Sequence, residues 1–164
     1  MVGEDALHGN VTGWYAPGMD THRSPFGGRN FEYYSEDGLL AGKMGANVVA
    51  GAAKKGLYCF IKHFALNEQD TNRGMTLHTW ADEQTMREIY LKPFEISVKE
   101  GKATALMTSL NCIGVTAAVG NYNLITKLLK NEWGFKGMVI TDYLAYDENL
   151  MIQALFAGGD AMLS

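Results

Sequence analysis

What this chain lacks narrows its class before any motif is read. None of its 164 residues fall in an apolar run near the roughly 18 residues needed to cross a bilayer, so no membrane span is expected. Bases do not outnumber acids: 14 Lys and Arg stand against 18 Asp and Glu, a net charge of −4. That leaves no basic footprint for nucleic acid or for an anionic membrane surface. The first residues, Met1-Val2-Gly3-Glu4-Asp5, are acidic and lack the apolar core of a signal peptide. Only two cysteines occur, Cys59 and Cys112, both in apolar settings without an activating neighbour in sequence. They exclude a disulfide scaffold and read as buried thiols in a reducing, cytoplasmic compartment. The four histidines show no HExxH or CxxC-like spacing, and the GxGxxG and Walker spacings are absent. Neither a zinc site nor a phosphate loop is called for, and no cofactor is expected.

What is present is ordinary globular composition, 47% hydrophobic and 20% charged, in a chain long enough for one core. Short apolar runs alternate with amphipathic stretches. Leu57-Tyr58-Cys59-Phe60-Ile61 reads as a buried strand, Ala103 to Met107 as a second, and Met138 to Thr141 as a third; Val11 to Ala16 is a weaker candidate. Between them, residues 82 to 100 carry Met86, Ile89, Tyr90, Phe94 and Val98 at helical spacing, with Pro93 bending or interrupting the helix. Residues 122 to 132 place Leu124, Ile125, Leu128 and Leu129 on one face, and a further helix is expected over about 148 to 157. Ser35-Glu36-Asp37 starts another helix, which runs to about Lys55 and whose Gly and Ala content permits close packing against a sheet. Strands alternating with helices imply βαβ units and a parallel sheet.

The ends of those strands carry the chemistry. The first runs into Lys62-His63, the second into Thr108-Ser109-Leu110-Asn111, and the third into Asp142. Parallel strands bring these ends to one face, the active-site geometry of a β/α barrel. A carboxylate after a buried strand is costly to place without a use. Asp142 near Lys62 and His63 suits covalent catalysis, because nearby cations keep a carboxylate nucleophile ionised; it also suits an N-cap or a loop ion pair. Lys62 has a rival role as a Schiff-base lysine, which needs an apolar site, and a bland one as a solvated strand end. Gly27-Gly28-Arg29-Asn30-Phe31-Glu32 either positions Arg29 over a substrate or forms a surface turn with an Arg29 to Glu32 pair. The polar loop Asn67 to Arg73 suits sugar binding or simple solvation. Four or five βα units fit in this length, against eight in a closed barrel, so the pattern allows either a small open α/β fold or part of a barrel.

Several stretches together resemble glycoside hydrolase family 3. They are Ala16-Pro17-Gly18 through His22-Arg23-Ser24-Pro25, Gly28-Arg29-Asn30-Phe31-Glu32-Tyr33-Tyr34-Ser35-Glu36-Asp37, and Lys62-His63-Phe64-Ala65 with Asn67-Glu68-Gln69. Met107-Thr108-Ser109 and Glu132-Trp133-Gly134-Phe135 through Thr141-Asp142-Tyr143 complete the order. The resemblance implies a partial (β/α)8 barrel of TIM type over residues 1 to 164, a single incomplete catalytic domain. The first barrel strands and the domain bearing the acid/base are expected to lie outside it. It also implies a retaining β-glycoside hydrolase acting on a β-linked oligosaccharide or glycoside through a glycosyl-enzyme intermediate on Asp142. Arg29, Lys62 and His63 match positions that hydrogen-bond the sugar, Met107 matches an apolar contact, and Tyr143 follows the nucleophile where Trp is common. Ala65-Leu66-Asn67-Glu68 after Lys-His points to the β-glucosidase or β-xylosidase branch. Leu110 stands where a tyrosine is frequent. In this branch the acid/base follows the barrel; within the chain, Glu68 or Asp147 would be the carboxyls to take over its task. A non-catalytic sugar-binding remnant remains a rival, and open sheet edges make self-association an expectation.

Overall fold

The structure, a computed structural model, describes residues 1–74, 77–143 and 148–163. A four-stranded parallel sheet forms its centre. In chain order the strands are β1 (Gly13–Trp14), β2 (Tyr58–Phe64), β3 (His78–Thr79), β4 (Ala105–Thr108), β5 (Cys112–Ile113), β6 (Thr116–Ala117) and β7 (Met138–Ile140). The main sheet has the order β1-β2-β4-β7, every pairing parallel, and β3, β5 and β6 make a separate small sheet. The helices are α1 (Val2–His8), α2 (Gly38–Ala53), α3 (Glu83–Thr85), α4 (Lys92–Lys99) and α5 (Glu148–Ala157). The expected parallel α/β architecture is therefore present, with β2, β4 and β7 adjacent in the sheet.

The two faces of the sheet are filled differently. On the helix side Cys59, Ile61, Phe64, Leu106 and Val139 join Val49, Leu91, Phe94, Ile125, Leu129 and Trp133 in the main core. On the other side Phe60, Ala105, Met107 and Ile140 form a smaller apolar layer with Ala161 and Leu163 against it. Side chains that alternate between two apolar layers are the pattern of a barrel wall, inner layer against outer.

Helix starts follow local chemistry. The Asp37 carboxylate accepts from the amides of Leu39 (2.7 Å) and Leu40 (2.9 Å), capping α2. The glycines of α2 serve helix contact more than the sheet contact expected of them. A Cβ on Gly38 would lie 2.6 Å from the Ile89 carbonyl oxygen, and one on Gly42 2.7 Å from Ile96 Cδ1. Both partners belong to the 86–99 helical region, so the small residues let two helices lie close. That region is interrupted as Pro93 predicts. A π-helical stretch, Met86–Tyr90, closes with the Leu91 amide on the Met86 carbonyl, and α4 restarts with Pro93 in its first turn. The stretch Asn123–Glu132 is π-helical too, ending with the Trp133 amide on the Leu128 carbonyl.

Strand ends depart from the apolar runs. β2 begins at Tyr58 and continues through Lys62 and His63 to Phe64, so these two polar residues lie inside the strand and not after it. β7 stops at Ile140, leaving Thr141 outside. β1 covers only Gly13–Trp14, but the line of pairing goes on: the Lys62 amide donates to the Pro17 carbonyl, and the Met19 amide to the Lys62 carbonyl. This continuation brings Asp20 alongside His63.

Candidate active site

The carboxyl ends of β2, β4 and β7 meet on one face, with the 17–33 segment beside β2. The residue singled out at the end of β7, Asp142, has a side chain 15% exposed. Its Oδ1 accepts the Tyr143 amide at 2.7 Å. Its Oδ2 is buried without a hydrogen bond and lies 3.7 Å from Nη1 of Arg73, itself buried and without one. Arg73 is steadied from the other side by Asp70, Nε to Oδ1 at 3.0 Å. The two groups form a loose ion pair in which Asp142 Oδ2 and Arg73 Nη1 each lack a hydrogen bond, an unusual state for buried polar atoms.

Next to this pair runs a chain of alternating charge. The Arg29 guanidinium donates from Nε to Glu32 Oε1, and Glu32 Oε2 lies 3.5 Å from Lys62 Nζ. The Arg29–Glu32 pair exists, but it is no surface turn: both side chains are about one-fifth exposed and they are tied to β2. Burial, the largest single influence, works against the charge of Arg29, but the Glu32 hydrogen bond and the attraction of Tyr33, Glu32 and Asp142 together outweigh it, so its pKa rises. Glu32 is likewise pushed up by burial but brought lower overall by Arg29, Lys62 and His63. An ammonium held by a carboxylate is the reverse of the apolar, charge-free pocket a Schiff-base lysine needs, which counts against that role for Lys62.

His63 points into a third group of contacts. Asp20, fully buried, accepts the His63 amide (2.9 Å) and faces the ring Nδ1 (3.2 Å) with Oδ2, and accepts the Asn67 amide (3.1 Å) with Oδ1. The Tyr33 hydroxyl lies 3.4 Å from the same Nδ1 and donates toward the Asn67 carbonyl at 3.5 Å. Burial first, then Asp20, hold that phenol protonated far above its ordinary range. The polar stretch after β4 turns out to brace this region: Ser109 Oγ and Asn111 Nδ2 both donate to the Ala65 carbonyl, at 3.0 and 3.2 Å.

Met107 and Tyr143 are the remaining sequence candidates, the second bonded to Asp142 through its amide. Met107 is buried in the inner apolar layer, and the Tyr143 side chain is 54% exposed. Sequence reasoning passed over Asp20, Tyr33 and Arg73. Arg73 offered one signal, a lone cation closing the polar loop that follows β2. Asp20 offered only a carboxylate next to apolar Met19. Of the two carboxyls named as substitute acids, Asp147 lies outside the described residues. Both thiols are buried and free, and burial raises that of Cys59 to about 11.

Glu68 is 3% exposed, and neither of its oxygens has a hydrogen bond of ordinary geometry. Burial, then the neighbouring Asp20, raise its pKa from 4.5 to about 8, against smaller opposing pulls from Arg23 and backbone amides. A carboxyl whose folded pKa exceeds its unfolded value favours the fold when protonated, and its contribution is lost as pH rises through that window. The melting temperature should therefore fall as pH is raised from about 4.5 towards 8. Glu68→Gln should flatten that part of the profile and melt higher than the parent at the alkaline end, as read by calorimetry. A profile unchanged by the substitution would mean that Glu68 is ionised in the fold at neutral pH.

Comparison with known proteins bears on the fold that carries these residues. The model of the glycosyl hydrolase family 3 N-terminal domain matches residues 1–161. Beta-glucosidase A of Butyrivibrio fibrisolvens is 41% identical over 158 residues, 96% of this chain and 19% of that protein. Beta-glucosidase B of Emericella nidulans is 46% identical over 145 residues, 88% of this chain and 17% of that protein. The chain thus spans less than a fifth of the length of these two relatives. Among solved structures, beta-glucosidase 3B from Thermotoga neapolitana, determined in complex with glucose, superposes with a TM-score of 0.92 at 41% identity. The match covers 98% of this chain and 22% of that one, so the parallel sheet described above is part of a larger barrel-type fold in that protein. On this coverage the chain belongs to glycosyl hydrolase family 3.

Proposed function

We propose that this chain supplies the nucleophile and much of the sugar-binding surface of a retaining β-glucosidase site. Asp142 attacks the anomeric carbon of a β-glucoside, the bond to the aglycone oxygen breaks, and a glycosyl ester forms on the carboxylate. Water then attacks the same carbon and gives a proton to the group that protonated the leaving oxygen, releasing the sugar with its β configuration and freeing Asp142. Arg29, Lys62, His63 and Arg73 are the side chains we assign to the sugar hydroxyls, with Met107 and Tyr143 as apolar neighbours. The single observation that carries this reading is the buried, unbonded Asp142 Oδ2 facing the unbonded Arg73 Nη1 at 3.7 Å. Both atoms keep hydrogen-bonding capacity, and one substrate hydroxyl can donate to the carboxylate oxygen and accept from the guanidinium N–H.

The leaving oxygen needs a proton, and in this reading the donor belongs to another domain. The contrast between leaving groups tests this. General acid assistance is typically worth about 10² to 10⁴-fold. The 164-residue chain should release a burst of dinitrophenolate from its β-glucoside while cleaving cellobiose negligibly. Robust cellobiose turnover by the pure chain would place the acid among its own carboxyls, with Glu68 first in line, and would overturn this division of labour.

A further inference from the structure

We propose that Asp20 is a positioning residue that fixes the tautomer and orientation of His63. The geometry assigns the ring proton to Nδ1 and leaves Nε2 as an acceptor. This rests on the reading of His63 as a sugar contact made above, and it adds the group that prepares it.

The argument starts from donors and acceptors. An ionised carboxylate only accepts, and a neutral imidazole has one nitrogen that donates and one that accepts. His63 Nδ1 lies 3.2 Å from Asp20 Oδ2 and 3.4 Å from the Tyr33 hydroxyl oxygen. The Asn67 carbonyl, which can only accept, lies 3.5 Å from the same hydroxyl, and a phenol that donates there presents a lone pair to the ring. Nδ1 therefore faces two acceptors and must carry the hydrogen. The lone pair falls on Nε2, which can then accept from a sugar hydroxyl. A free imidazole shows no such fixed choice, and the partner of one ring nitrogen sets the state of the other.

The same carboxylate holds the backbone that carries the ring. Oδ2 also takes the His63 amide and Oδ1 the Asn67 amide, so one side chain from the segment after β1 fastens both the end of β2 and the turn that follows it. Asp20 and His63 are 0% and 1% exposed, so water does not compete for these bonds. Among the described residues, Asp20 and Tyr33 face the ring at Nδ1, Glu32 interacts with it electrostatically, and Glu68 interacts with Asp20. None of the others makes a hydrogen bond to Nδ1.

The test is a long-range proton–nitrogen correlation spectrum of the nitrogen-15-labelled chain, at a pH above the ordinary histidine range. The wild type should show Nδ1 protonated and Nε2 bare. Asp20→Asn should shift His63 toward the opposite tautomer and weaken glucose binding by roughly tenfold, the scale of a lost bond to a charged group. Tyr33→Phe should leave the tautomer as it was. A wild-type chain with a proton on Nε2, alone or with one on Nδ1, overturns the proposal, whether or not Asp20→Asn folds. A flip caused by Tyr33→Phe overturns it too, since the phenol and not Asp20 would then hold the proton. Glucose binding that leaves the His63 Nε2 signal unmoved, with Nδ1 protonated, sinks the sugar-contact reading while the tautomer assignment stands.

Discussion

Asp142→Asn is expected to lower the dinitrophenolate burst by a factor on the order of 10⁴ to 10⁶, the range seen when one member of a catalytic unit is removed. The far-ultraviolet circular dichroism should not change. Both expectations follow from how Asp142 is held. An asparagine oxygen can still accept the Tyr143 amide that now meets Oδ1. The other oxygen has no hydrogen bond to lose, and its nearest cation, Arg73, stays paired with Asp70. What disappears is the negative charge that attacks the anomeric carbon. An amide is a poor nucleophile there, so the loss falls on chemistry and not on folding. If the variant unfolds while the burst per folded molecule persists, Asp142 is a structural ion-pair partner.

The largest effect on stability should come from Phe64→Ala, with a cost of about 3 to 5 kcal/mol in denaturant unfolding. Phe64 is fully buried at the end of β2, immediately after His63. Its ring meets Phe94 of α4 edge-on at 5.1 Å and Trp133 at 5.8 Å, so it joins the sheet to two helical layers at once. Truncation removes the transfer free energy of the ring and both edge-on contacts, and leaves a cavity in the close-packed main core. Because Lys62 and His63 precede it directly, the folded fraction should also bind glucose more weakly. A loss below about 1 kcal/mol would mean the layer repacks freely, contrary to the close-packed core described here.

Much of this arrangement could be read from the sequence, and the parts that could not have physical reasons. The three main strands and their parallel order follow from apolar runs separated by amphipathic stretches, and α5 lies where its spacing put it. The end of β2 was placed too early because Lys62 and His63 interrupt the apolar run, whereas backbone pairing with Pro17 and Met19 carries the strand on. The small sheet of β3, β5 and β6 is built from two-residue strands, too short for any periodicity. The link between Arg29 and Glu32 is local, three residues apart, and so visible in advance. Its extension to Lys62 is not, since only the fold brings residue 32 to residue 62. Asp20 is the clearest case: its partner His63 stands 43 positions along the chain, and nothing around Met19-Asp20-Thr21 announces burial.

Site residues show the same division. Chemistry at strand ends is legible because a carboxylate, a lysine and a histidine after apolar runs are costly to place without a use. The groups that prepare them are buried acids and a buried phenol, whose roles depend on distances between distant segments. Asp20, Tyr33 and Arg73 gain meaning only when those segments meet.

Covalent trapping tests whether Asp142 is the nucleophile. The chain is incubated with the 2-deoxy-2-fluoro β-glucoside of dinitrophenol, whose fluorine slows release of the covalent intermediate, then digested and mapped by mass spectrometry. This role for Asp142 predicts a single fluoroglucosyl adduct, on the peptide and residue of Asp142, and none in Asp142→Asn. An adduct on another carboxylate, or labelling that survives Asp142→Asn, would contradict it.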